Sequence, residues 1–315
     1  MSVTNAEYYF SQGNRHFNRG EYQLAIDQYK EAINANPQYA SALCNKGVAF
    51  AEMRDHAKAI ESFQQAVTSN PYDAVAFYNL GLSYAEVTNF AKAISAFQSA
   101  ISLNTRYVKA YYNLGLAYMA LGQLELAVQQ YQQAISIRPT YARAHVSLGV
   151  CHAKMTDHQQ AVEAFLRAIA LNPSNASVYY QAGLQYAELG DYAKAVKYCQ
   201  QAIDLNPHES AAYYHLGLAY HRLANFTKAV ECYQQAIELN DQYVDAYHNM
   251  GLAYGSLGNN GRAIECYQQA IQLNSRYVEA HYSMGAAYYR LGNYARAIQC
   301  YELGDSLDQR ELSQG

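Results

Sequence analysis

The sequence predicts an all-α protein, a solenoid of antiparallel helix hairpins, and three observations predict it. Nearly the same eight residues, Tyr111-Tyr112-Asn113-Leu114-Gly115-Leu116-Ala117-Tyr118, return every 34 positions, most clearly at 77–84, 213–220 and 247–254. Glycine holds one register from Gly13, Gly47 and Gly81 through to Gly285, and alanine another from Ala25 to Ala297, with no insertion or deletion. Inside each repeat the apolar residues recur at helical spacing, broken twice by turn-forming residues. Equal-length units that each supply two short amphipathic helices encode a stacked array.

Nine such units occupy 6–39, 40–73, 74–107, 108–141, 142–175, 176–209, 210–243, 244–277 and 278–311 as a single array, with 1–5 and 312–315 as tails. In the fourth, Val108, Tyr111, Leu114, Gly115 and Tyr118 fall on one face at 100° per residue and predict a first helix, helix A. Leu121-Gly122-Gln123 interrupts it. The pattern restarts through Leu124, Ala127, Val128, Tyr131, Ala134 and Ile135 as helix B. In most repeats the break carries Asp or Asn, as in Gly190-Asp191 and Gly292-Asn293, a residue able to cap the next helix. Helix B closes near Asn36, Asn70, Asn104, Asn172, Asn206, Asn240 and Asn274, read here as left-handed terminators, and five prolines follow that position. Gly115 and Ala127 are read as the close approach of the two helices, with Tyr111 and Tyr118 filling the remaining volume and Ala134 receiving the next repeat. Asn259-Asn260-Gly261 is a weak start to the eighth helix B, costing about 1 kcal/mol for the glycine. Polar residues in the first repeat (Gln12, His16, Arg19) and Gly304-Asp305 in the ninth suit ends that need not bury both faces, so the array is expected to begin and end in this chain.

Composition narrows the function. Hydrophobic residues make up 51% and charged residues 15%, enough apolar surface for a continuous core and too little charge for a disordered chain. A net charge of −4 without a basic cluster argues against nucleic acid. No apolar run approaches the roughly 18 residues of a membrane helix, and the first residues carry no leader pattern, so membrane insertion is not expected and a cytoplasmic location is. Six cysteines with no CxxC pair suit reduced, structural thiols.

The residues Tyr213, Leu216-Gly217, Tyr220, Ala229, Tyr233 and Ala236 reproduce the aromatic, Leu-Gly, Tyr, Ala, aromatic, Ala signature of the tetratricopeptide repeat (TPR) family, which the whole array resembles; the family's closing proline is here Asp241. The resemblance implies a right-handed α-solenoid superhelix whose A helices line a concave side and whose usual work is holding another protein.

Chemistry-bearing residues point the same way. His145, Cys151, His152 and His158 are metal-ligand types, but the three histidines occupy the packing registers of Tyr111, Tyr118 and Leu124, so no metal site is expected. Gly251, Gly255, Gly258 and Gly261 lack the spacing of a phosphate loop. No cofactor and no enzymatic activity are expected. Opposite the packing face of helix A lies the candidate peptide site. One register reads Asn45, Asn79, Asn113, Gln181, His215 and Asn249 with serines between, and the register before it reads Tyr78, Tyr112, Tyr180, Tyr214, His248 and Tyr282 with Phe10, Cys44 and Val146. An amide ladder beside tyrosines can pair with the main chain of an extended peptide. The opposing reading has the tyrosines packing between neighbouring A helices. The ladder is similar to that in the superhelical arm of O-linked N-acetylglucosamine transferase. A carboxylate clamp of the co-chaperone kind is excluded, because Phe10, Val75 and Asn79 stand at its cationic positions. Lys109, Arg143 and Lys154 make the middle basic and Arg222 lies further on, so a protein or peptide partner with an acidic segment is expected. The alternative function is a self-assembling structural protein that oligomerises through exposed helix faces.

Overall fold

The computed structural model describes residues 3–312, and every element in that range is helical. Contacts divide the chain into two compact units, one up to Thr156 and one from Asp157. The first holds α1 (Val3–Asn18), α2 (Tyr22–Ala35), α3 (Ala40–Glu52), α4 (His56–Ser69), α5 (Ala74–Glu86), α6 (Phe90–Leu103), α7 (Val108–Ala120), α8 (Leu124–Ile137) and α9 (Ala142–Lys154). The second holds α10 (His158–Leu171), α11 (Ala176–Glu188), α12 (Tyr192–Leu205), α13 (Ser210–Arg222), α14 (Phe226–Leu239), α15 (Val244–Ser256), α16 (Asn260–Leu273), α17 (Val278–Arg290) and α18 (Tyr294–Leu312). Odd-numbered helices are the A helices and even-numbered ones the B helices. Helix α1 starts at Val3, inside the segment read as a tail, and α18 runs to Leu312. Met1, Ser2 and the last three residues of the expected tails lie outside the described residues.

Most of these helices have 13 or 14 residues, a length marginal for an isolated helix in water. Packing therefore supplies their stability, and the residues that supply it are not all those the pattern suggested. The largest fully buried side chains are B-helix aromatics, among them Tyr131, Tyr233, Phe63 and Phe97. In the repeats that carry this ring the glycine of helix A makes room for it, and the nearest atoms are the ring's and not those of the Ala127 position. A Cβ built on Gly115 would stand 2.5 Å from Cε1 of Tyr131, and one on Gly81 2.5 Å from Cε1 of Phe97. Tyr111 and Tyr118 are only half-buried, at the flanks. Ala134 has the role expected of it, packed with Ala144 of the following A helix.

Both ends of helix B have identifiable causes. Asp55, Asn89, Asp157, Asp191, Asn225, Asn259 and Asn293 each accept the backbone N–H three residues on, as at Lys92, 3.3 Å from Asn89. The residue before each cap is left-handed. Gly20, Gly122, Gly190, Gly258 and Gly292 adopt this without strain, but Arg54, Thr88, Thr156 and Ala224 hold φ between 57° and 60°. A left-handed L-residue costs roughly 1–2 kcal/mol. Thr88→Gly is thus expected to raise stability by about 1 kcal/mol, read as a higher denaturant midpoint, despite loosening the unfolded chain.

At the far end the expectation of left-handed asparagines is corrected. Asn36, Asn70, Asn104, Asn172, Asn206, Asn240 and Asn274 are extended, with φ between −135° and −146°. Their side chains explain the preference: Oδ1 accepts the N–H two residues on, at 3.1 Å for Tyr72 on Asn70 and for Arg106 on Asn104. This is an Asx-turn, which bends the chain without a positive φ. The ninth repeat differs at Gly304. Its missing side chain leaves space for the ring of Tyr282, whose Cε1 would lie 2.9 Å from a Cβ there, and Tyr282 Oη donates to Asp305 Oδ1 at 2.7 Å. Beside it Ile298 and Leu303 are more than half exposed.

Candidate functional site

The two candidate registers lie on the A helices of each unit, and the structure ties them together in one repeated geometry. A residue of the tyrosine register meets the residue 35 positions later, in the amide register of the next A helix. Asn113 Nδ2 donates to Tyr78 Oη at 3.1 Å, and Asn249 Nδ2 donates to Tyr214 Oη at 3.1 Å. The other amide hydrogen is also spent: Asn113 Nδ2 lies 2.8 Å from the carbonyl oxygen of Lys109, and Asn249 Nδ2 2.9 Å from that of Asp245. A backbone carbonyl can only accept, so the orientation of both amides is fixed. Asn79 lies beside the Cys44 thiol. His248 Nε2 is 3.1 Å from Ser283 Oγ, and the rings of Tyr180 and His215 are 5.5 Å apart.

Asn45 is engaged one step earlier, donating to Asn14 Oδ1 at 2.9 Å, which also accepts from Tyr29 Oη at 2.8 Å. The two asparagines thus bind one another and leave neither amide free on this stretch of the face. Tyr112 packs against Tyr131, and His248 is 8% exposed, a wall residue with little face for a partner. Gln181 is half-buried. Lys109, Arg143, Lys154 and Arg222 are exposed, free to meet charge on a partner. So the tyrosines do pack between successive A helices, as the opposing reading held. The amides are narrowed by this to their carbonyl oxygens, since both donors of Asn113 and Asn249 are already committed.

Sequence reasoning missed a third row. Tyr39, Tyr107, Tyr141, Tyr243 and Tyr277 precede an A helix and lean on the ring 29 residues earlier, with centroids 4.9 Å apart for Tyr78 and Tyr107 and 4.8 Å for Tyr214 and Tyr243. Their own 34-residue spacing was the signal. A second missed pairing sets a B-helix cation over an A-helix ring eight residues back, as Lys92 over Tyr84 at 5.5 Å and Arg262 over Tyr254 at 5.6 Å.

Burial keeps the tyrosine and histidine rings of the wall uncharged at neutral pH. Burial pushes the phenols of Tyr78, Tyr180 and Tyr214 up to about 12. It pushes the imidazole of His215 down to about 4 and lowers that of His248. All six cysteines are free and buried, with Cys44 and Cys151 raised to about 11 and Cys199, Cys232 and Cys266 to about 12 by desolvation. Such thiols stay protonated and make poor nucleophiles. His145 Nε2 donates to the Pro139 carbonyl oxygen at 2.9 Å and His158 Nδ1 lies 2.9 Å from Gln185 Oε1. Among the described residues no group of three His, Cys, Asp or Glu side chains could hold a metal, and no helix is long and apolar enough to cross a membrane.

The comparisons with known proteins agree with the hairpin geometry. Family models described as "TPR repeat" match residues 89–122, 115–155, 225–258 and 256–292. Models described as "Tetratricopeptide repeat" match 10–74, 148–210 and 278–311. No curated protein matches the chain. Among solved structures, a MamA protein is 31% identical with a TM-score of 0.52 over 55% of this chain and 94% of its own. MamA from Desulfovibrio magneticus RS-1 is 26% identical, with a TM-score of 0.52 over 54% of this chain and 97% of its own. A TPR repeat-containing protein from Cytophaga hutchinsonii, at 19% identity, shares the fold with a TM-score of 0.64 over 78% of this chain and 98% of its own. With nine uninterrupted repeats matched by family models along most of its length, the chain belongs to the tetratricopeptide repeat family.

Proposed function

We propose that the protein is a non-enzymatic interaction scaffold that holds an extended or helical segment of a partner protein on the face formed by its A helices. The observation that supports this reading best is the pinned carboxamide. Asn113 and Asn249 each spend both N–H groups inside the wall, which leaves the carbonyl oxygen of a rigidly held side chain as the unspent group. Held acceptors repeated along an array can take N–H groups from a peptide main chain with little entropy to lose. The half-buried tyrosines beside them add apolar area, and the exposed Lys109, Arg143 and Lys154 suit an acidic segment.

The test is partner capture followed by direct titration. Proteins retained from the native cell by the wild-type chain are identified, and synthetic segments from them are titrated against wild type and the Asn79→Ala, Tyr112→Ala, Asn113→Ala triple variant. We expect the variant to bind at least tenfold more weakly while keeping its helical circular dichroism. Equal affinity would move the site off this face.

A further inference from the structure

Along the array, the ring at the Tyr112 register is sandwiched. On one side stands the B-helix aromatic 19 residues on, and on the other the tyrosine 29 residues on. Phe10, Tyr78, Tyr112, Tyr214 and His248 all have both partners, at centroid distances of 5.7–6.0 Å and 4.8–5.3 Å. Tyr180 has neither. The B-helix position is Cys199, because repeat six reads Tyr198-Cys199 where the next three read Cys232-Tyr233, Cys266-Tyr267 and Cys300-Tyr301. The inverted tyrosine stacks elsewhere, on Tyr186 at 5.2 Å with the planes 20° apart. The other position is Glu209.

Removing two rings from a three-ring stack leaves space. A cavity of 170 Å³ opens beside Tyr180, lined among others by Gln181, Ala202, Asn206 and Glu209. Small-molecule sites usually run to about 300–1,000 Å³, so this one is sized for a single side chain. Its chemistry is equally specific. Glu209 is exposed and makes no ion pair among the described residues, and no cation lines the cavity. The neighbouring His215 is neutral above about pH 4. An aromatic face beside an unpaired carboxylate favours a planar cation that can stack on the ring and share two hydrogen bonds with the acid.

We propose that this cavity is a subsite for an arginine side chain of the bound partner, with the guanidinium stacked on Tyr180 and paired to Glu209. The inference rests on the A-helix face being the binding face, and it adds one anchoring residue type to that reading. It also accounts for the loss of two rings in one repeat, where the array itself gains nothing from a hole in its wall.

The test uses the full chain and two peptides, acetyl-Gly-Gly-Arg-Gly-Gly-amide and its citrulline counterpart, which keeps the shape without the charge. Backbone amide NMR follows the titration. The arginine peptide is expected to shift resonances at Tyr180, Gln181 and Glu209 with saturation, and the citrulline peptide to bind at least tenfold more weakly. Cys199→Tyr with Glu209→Tyr restores the stack of the other repeats and should abolish the effect. Glu209→Gln, at an exposed position that leaves the fold alone, should weaken it about tenfold. Equal shifts from both peptides, shifts that survive the filled variant, or no shift at these residues would each overturn the arginine subsite. Failure here is separable from failure of the face as a whole. The filled variant keeps the Tyr78–Asn113 ladder, so a partner segment that still binds it, and not the ladder variant, sinks only the subsite.

Discussion

Gly115→Ala is expected to destabilise the first unit by about 1–3 kcal/mol, although alanine is the better helix former. The new methyl would stand 2.5 Å from Cε1 and 2.8 Å from Cδ1 of Tyr131, a ring with no exposed surface. The ring cannot withdraw, because Tyr112 and the buried Ala127 and Cys151 pack around it. Tyr131→Ala alone should cost more, about 3–5 kcal/mol, as the cavity left by a buried aromatic. The mechanism predicts that the two are not additive: once Tyr131 is alanine, Gly115→Ala should cost nothing or stabilise slightly. Gly261→Ala supplies the control. Its Cβ would meet only Asn259 Oδ1 at 3.9 Å, so the same change there should gain up to about 1 kcal/mol. Local opening measured by amide hydrogen exchange is the proper readout, since repeat arrays need not unfold in two states. Equal effects of Gly115→Ala with and without Tyr131 would refute the ring contact.

That contrast also marks how far the sequence could be read. The 34-residue register of Gly115 announced a close approach, and helical periodicity placed α7 and α8 almost to the residue. What the glycine approaches was misjudged, because one-dimensional spacing cannot say which of Ala127 and Tyr131, both on the same face of α8, points at it. The caps were legible because Asp or Asn at a break has one main use. The asparagines at the B-helix ends were not, since that residue serves both left-handed termini and Asx-turns, and only φ separates them. At the candidate site the two registers were found, yet their mutual bonding was not. Tyr78 and Asn113 are 35 residues apart, and a pattern read one repeat at a time never brings them together. Repeat six shows the converse. The order Tyr198-Cys199 was plain in the chain, and its meaning appeared only when intact stacks in other repeats supplied the reference.

Acid should weaken the second unit through His215, and the sign follows from where its proton goes. An unfolded histidine titrates near 6.5, whereas burial against the rings of Tyr180 and Tyr214, 5.5 and 5.0 Å away, holds the folded value at about 4. Above 6.5 both states are neutral and the residue contributes no pH dependence. Between 6.5 and 4 the unfolded chain binds a proton that the folded one refuses, so stability falls as pH falls and levels off below 4. The full loss is up to about 3 kcal/mol, taking about 1.4 kcal/mol per pH unit. His221 and His248 are lowered as well and add slopes of the same sign, so the informative quantity is a difference. His215→Asn restores the residue found at Asn113 and Asn249 in the same register and should flatten the denaturant midpoint between pH 6.5 and 4 relative to wild type, with little change at pH 7.5. A parallel pH profile in that variant would mean that His215 is protonated in the fold. That result would also place a positive charge 5.5 Å from the ring of Tyr180, the ring proposed to stack on an arginine, and the subsite would have to weaken in acid for that reason.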